Sequence, residues 1–269
     1  MPWPLPSGKA ARLELAKGYP YAAPSSSYLF RRGAAELSPP LHWPENSFEG
    51  RTPVIAHGSN RAPEQLARKY TGLSGSQETA TPSSASGVEE IPVTLTRLHD
   101  YEVVYSAHMT RYGAVAANLQ HAPGAVVEIF ITWLNEPQLQ RMHDTELGGE
   151  IYRFGRLRAV KLEQPAGPLP PLESVFVYLS SAGCLRVQNL PAGIAAIPAA
   201  ARRFPALSQL DALESVRSRL YPDRALDDVI LDVIADPQFR RSTIDALRAD
   251  AVPLEAPHFE FLDPRPSDS

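Results

Sequence analysis

Four segments between residues 91 and 134 constrain this chain more than any other stretch of it. Residues 91–98, 101–108, 114–119 and 125–134 are rich in Val, Ile, Thr, Tyr and Phe, side chains that suit a pleated, half-buried surface. The breaks between them are short and made of turn formers: His99-Asp100, Arg111-Tyr112-Gly113 and His121-Ala122-Pro123-Gly124. A parallel crossover needs about a dozen residues or more, so such neighbours are expected to pair antiparallel. Residues 126–133 are apolar enough to lie centrally, and two further strand-like stretches, 151–162 and 175–180, would complete a compact mixed sheet or small barrel.

Helical signals flank this sheet. Asn135 is a candidate cap, with Gln138 three residues on and Pro137 in the first turn, and the helix should stop at Gly148-Gly149. Beyond Leu190, stripes at helical spacing (Leu207, Leu210, Leu213, Val216, Leu220; then Leu226, Val229, Ile230, Val233, Ile234; then Ile244, Leu247) predict a helical extension over 185–269, ending in a polar tail from Asp263. Residues 1–50 read as a Pro- and Ser-rich arm with a helical possibility at 10–17. Its aromatics Tyr19, Tyr21, Tyr28, Phe30 and Trp43 predict that part of it packs on the domain or on a second subunit. Residues 71–88, rich in Gly, Ser and Thr, read as a mobile surface loop able to act as a lid.

Composition narrows the function classes. With 26 Lys and Arg against 30 Asp and Glu, a formal charge of −4 and no basic run, nucleic acid is not the expected partner. No apolar stretch reaches the roughly 18 residues a membrane-spanning helix needs, and Pro2, Pro4 and Pro6 break any signal-like start, so no membrane association is expected. The one cysteine, Cys184, reads as a buried small hydrophobe in a reducing, cytoplasmic protein.

Residues 52–60 form a short apolar run feeding a Gly58-Ser59-Asn60 turn, followed by a helical segment to Tyr70. Gly58 permits close approach, Ser59 and Asn60 favour turns and caps, and amides at such a junction can receive a carboxylate or a developing oxyanion. The second candidate is Glu146. Leu139, Met142 and Glu146 stand at i, i+3 and i+7, one face of the helix, and two apolar members mark that face as buried. A carboxylate there is expected to lose hydration and have its pKa raised, as a proton acceptor near neutrality requires. The structural alternative is a frayed helix end where Glu146 pairs with an arginine such as Arg153.

Other chemistries find little support. His57-Gly58-Ser59-Asn60-Arg61 lacks the outer glycines of a nucleophile elbow, and there is no HExxH, Walker A or GxGxxG sequence, so a catalytic zinc site has little support and no nucleotide cofactor is indicated.

Taken in order, Val54-Ile55-Ala56-His57-Gly58-Ser59-Asn60, the segments 113–119 and 124–130, and Met142-His143-Asp144-Thr145-Glu146 followed by Tyr152-Arg153 resemble the gamma-glutamylcyclotransferase-like family: its YGSN-type turn, central strands and acidic-helix motif. The likeness spans about 53–180. It implies a small mixed β-barrel, here over 51–184, whose cavity binds a small gamma-glutamyl compound; with the helical extension read from the C-terminal stripes, which the likeness does not cover, the fold expected is α+β. It also implies no metal or organic cofactor, Glu146 as the catalytic carboxylate, His57, Gly58, Ser59, Asn60 and Tyr152 as substrate-binding residues, and cyclisation of a gamma-glutamyl group to 5-oxoproline with release of an amine or amino acid. The alternatives are a non-catalytic small-molecule binding or structural module on the same fold, or a related amide hydrolase or acyltransferase. A homo-oligomer would form through the arm or the C-terminal helices. Two residues depart from the family pattern: His57 stands in place of tyrosine and His143 in place of aspartate.

Overall fold

The four strand-like segments of 91–134 make two strands, not four. A computed structural model describes residues 3–31, 34–36, 43–44, 46–70, 90–148, 151–164 and 170–263. In chain order it contains α1 (Lys9–Lys17), β1 (Tyr28–Arg31), β2 (Ala34–Glu36), β3 (Thr52–Ala56), α2 (Pro63–Tyr70), β4 (Glu90–Met109), β5 (Val115–Leu134), α3 (Glu136–Glu146), β6 (Tyr152–Arg158), β7 (Leu162–Glu163) and β8 (Ser174–Ser180). Then come several two-residue strands, α4 (Gln209–Leu220), α5 (Leu226–Ala235), α6 (Pro237–Ala249) and a terminal strand Phe259–Phe261. The proposed lid, 71–88, and the tail after Asp263 lie outside the described residues.

The turn at Arg111-Tyr112-Gly113 does reverse the chain. The other two breaks are irregularities inside a continuous hairpin. His99 pairs with Val126 and Tyr101 with His121, so Asp100 stands opposite residues 122–125. Asp100 and Gly124 both adopt positive φ, and the Asp100 carboxylate accepts the Gly124 N–H at 2.8 Å. Turn-forming residues here kink both strands at one level, and that bends the sheet.

The result is a mixed α+β fold around a large, mostly antiparallel sheet. From one edge the order is 206–207, 193–194, β4, β5, β3, β8, β6 and Phe259–Phe261, with β3–β8 parallel. Among the described residues this order does not close into the expected barrel. The outer edge of β6 is occupied by Phe259–Phe261, and the outer edge of β4 by β1, β7 and Gly193, so neither is available to the other.

Both faces of the sheet are covered, which explains the unbroken apolar run at the end of β5. Ile129, Ile131 and Trp133 pack with Ile55 into the larger core, which includes side chains of α1 and α4–α6. Phe130 and Leu134 pack with Val54, Ala56, Leu66 and Met142 under α2 and α3. Alternation along β3 thus sends successive side chains to opposite cores.

The N-terminal arm is part of this packing, with Trp3, Tyr19, Tyr21, Tyr28 and Phe30 buried. The C-terminal part is not wholly helical. Residues 193–194, 199–200 and 206–207 join the sheet before α4 begins, and Phe259–Phe261 joins it at the end. Leu210 departs from its expected stripe and is 51% exposed, because Gln209, hydrogen-bonded to the Ala16 carbonyl, takes the inward position with Ala212, Leu213 and Val216. Cys184 is buried, and its thiol lies on Gln120 Oε1 at 3.2 Å. No helix among the described residues is long and apolar enough to cross a membrane.

Candidate functional site

The C-terminal end of β3 delivers His57 and Gly58 to the junction with a 3-10 turn, Ser59–Arg61, which runs into α2. Across from it stands α3, started by the expected capping box between Asn135 and Gln138. The face carrying Leu139, Met142 and Glu146 turns inward, with Met142 fully buried and Glu146 16% exposed at its side chain. Asn60 Nδ2 donates to Glu146 Oε1 at 2.9 Å, joining two residues 86 positions apart.

The cation beside Glu146 is Lys69, not Arg153. Lys69 lies at the end of α2 with its side chain 3% exposed, donates to the same Oε1 and also reaches Met142 Sδ at 3.3 Å. Arg153 instead lies over the Phe261 ring, 5.6 Å from its centroid. The counter-ion reverses the sign expected for the carboxyl. Burial pushes the Glu146 pKa up, but the Lys69 charge and hydrogen bond, the Asn60 donor and nearby His57 together hold it below its ordinary value. Glu146 is therefore ionised at neutral pH. Burial lowers the Lys69 pKa, against the pull of Glu146.

His57 is 7% exposed, and burial depresses its pKa to about 4 despite the charge of Glu146 and a hydrogen bond to the Ala117 backbone. It is neutral, and among the described residues its Nδ1 has no partner; Asn60 Oδ1 is likewise buried and unpartnered among them. Ser59 hydrogen-bonds the side chain of Tyr112, and Tyr152 donates to the Ala117 carbonyl at 3.3 Å. The residues singled out in the sequence thus do meet. His143, the other departure, accepts from or donates to Tyr178 at 2.7 Å and packs edge-on to Phe154.

Three further residues complete the cluster. Tyr112 was hidden in the hairpin turn and Tyr19 in the arm, where no local pattern marks them. Lys69 did leave a trace: it stands three residues after Leu66 on the buried face of α2.

Gly58 needs its missing side chain for space, not for a left-handed backbone. A Cβ there would stand 2.6 Å from the Tyr19 hydroxyl and 3.0 Å from Ala117 Cβ. The approach expected of a ligand is made by the chain itself. We expect Gly58→Ala to destabilise the protein by about 1–3 kcal/mol, the usual range for overpacking, and to cost less when made in a Tyr19→Phe background, where the hydroxyl it would meet is gone. Denaturant midpoints of the two variants check this; a neutral Gly58→Ala would show that Tyr19 yields freely. The resemblance implied a ligand cavity here, but a cavity of about 440 Å³ opens elsewhere, lined by Gly183, Arg248, Val252 and Leu254 among others.

Among the described residues, no three His, Cys, Asp or Glu side chains are grouped as a metal site. Comparison of the chain with protein-family models, curated proteins and solved structures returns no match.

Proposed function

We propose that the chain is a gamma-glutamylcyclotransferase-like enzyme acting on a small gamma-glutamyl amine, amino acid or peptide. The observation that carries this reading is the Asn60–Glu146 contact, which joins the Gly-Ser-Asn turn to the acidic helix face. In the proposed reaction the substrate's α-ammonium gives a proton to Glu146, and the freed amine attacks its own γ-carbonyl. A C–N bond forms in the five-membered ring and the original amide C–N bond breaks; Glu146 returns the first proton to the leaving nitrogen, and the second proton that the ring nitrogen sheds passes by the same carboxylate, so the amine departs as an ammonium. Lys69 and Asn60 both bind Oε1, which leaves Oε2 as the basic oxygen. Holding the substrate folded would supply about 7–11 kcal/mol of the barrier reduction. The closed gamma-glutamylcyclotransferase-type barrel is no part of this proposal, which rests on the side chains.

A second reading, a binding module without turnover, is favoured by the ion pair itself, since Lys69 already neutralises the carboxylate and helps hold its pKa below its ordinary value, the opposite of what a proton acceptor near neutrality requires. Incubating the purified chain with a panel of gamma-glutamyl compounds separates the two. Release of 5-oxoproline is the expected result; linear glutamate would indicate hydrolysis, and saturable binding without product would favour the module.

A further inference from the structure

Beyond Ala56, which pairs with Phe130, β3 no longer covers the edge of β5. At Ala117 that edge is capped by side chains instead. The Ala117 N–H donates to the Tyr19 hydroxyl at 2.8 Å, while Tyr152 and His57 attend its backbone from β6 and the turn. The same Tyr19 oxygen occupies the space over Gly58. Removing it would leave a buried backbone donor facing a residue with no side chain, in a turn whose His57 Nδ1 and Asn60 Oδ1 are buried and already lack partners among the described residues. Unpartnered buried polar groups are uncommon and point to a missing partner.

We propose that the Ala117 amide and bare Gly58 form an oxygen-binding subsite for the carbonyl or carboxylate of a small ligand, and that Tyr19 is its tethered occupant. The subsite rests on the reading of the Gly58–Glu146 cluster as a ligand site, and it names a donor for the ligand oxygen. The tether is the arm. Tyr19 packs against Tyr21 and Tyr112, and the Trp3 ring contacts both Tyr112 and the Arg111 guanidinium, which also donates to the Trp3 carbonyl. Two anchors come from the C-terminal helices, away from Glu146: Lys17 pairs with Asp227 on α5 at 2.5 Å, and Gln209 on α4 holds the Ala16 carbonyl. A ligand enters when this arm lifts, so the strength of a half-exposed ion pair sets how often the subsite opens.

Hydrogen exchange of the Ala117 amide, followed by mass spectrometry in the full chain, tests this without requiring activity. Tyr19→Ala should speed it by about five- to tenfold, the weight of one lost hydrogen bond. Lys17→Glu should speed it by about two- to fivefold, as expected for a surface ion pair, and Lys17→Glu with Asp227→Lys should return it to the wild-type rate. Protection of residues 127–132 reports that each variant remains folded. Acetate and 5-oxoproline are then added to Tyr19→Ala. Renewed protection by both supports the subsite and the gamma-glutamyl reading together; protection by acetate alone keeps the subsite and removes that reading. No protection by either overturns the subsite, and an Ala117 rate unmoved by Lys17→Glu overturns the tether.

Discussion

Glu146→Gln is expected to lower turnover of the proposed cyclisation by about 10²–10⁴-fold, and to weaken the fold as well. The second effect comes from Lys69. Its ammonium is almost wholly buried, and Glu146 is the carboxylate that neutralises it. Removing one partner of a buried ion pair typically costs about 3–5 kcal/mol, much of it the penalty of a stranded charge. Lys69 limits the loss by releasing its proton, a direction in which burial already pushes it. Activity and stability would therefore fall together in the single variant, and its activity alone could not assign Glu146 a chemical role. Lys69→Met combined with Glu146→Gln separates them. With both charges gone and the methionine packing near Met142, most of the stability should return, since replacing a buried pair by apolar groups is often neutral or better. Turnover should not return. Recovery of both would show that Glu146 serves the fold and that proton transfer lies elsewhere; urea midpoints and 5-oxoproline release on the four-member cycle decide it.

The same pair marks where sequence reasoning succeeds and where it stops. The inward position of Glu146 followed from three residues at helical spacing, because periodicity is local and the α3 cap is local too. The pKa direction was reversed because the deciding charge belongs to α2, and a packing partner 77 positions away has no local signature. Asp100 and Gly124 are another instance. Their chemistry allows either a chain reversal or a bulge, and the choice is made by the facing strand, whose own irregularity meets them. The two-residue strands of 190–207 are too short to show any period, and Tyr19 finds Ala117 98 positions away. The arm's burial was legible from its aromatics, but its destination was not.

Acidification provides the other large effect, because two histidines are buried in the neutral form. His57 and His108 both have pKa values held near 4 by burial, against about 6.5 in an unfolded chain. His108 faces Ser106 and Ser180 through Nδ1 and lies edge-on to Tyr152, with Glu146 pulling its pKa up and Arg248 pushing it down. Between pH 6.5 and 4 the unfolded chain binds the protons and the folded one does not, so stability is full above about 6.5 and falls as the pH drops through that window. At 1.36 kcal/mol per pH unit each histidine accounts for ~3 kcal/mol at pH 4, a large share of the roughly 5–15 kcal/mol typical of a domain. Glu146, with its pKa lowered, adds its own loss only further down, as the pH falls through the folded carboxyl. Denaturant titrations at pH 7.5, 5.5 and 4.5 should show this slope. His57→Gln keeps a donor at the outer nitrogen position, and His108→Asn keeps a polar group at Nδ1. Each variant should remove about half the loss between pH 6.5 and 4.5, and the pair nearly all of it. A wild-type slope in both single variants would place the acid-sensitive groups outside the site. A reduced slope in His57→Gln alone would confine them to the turn beside Glu146.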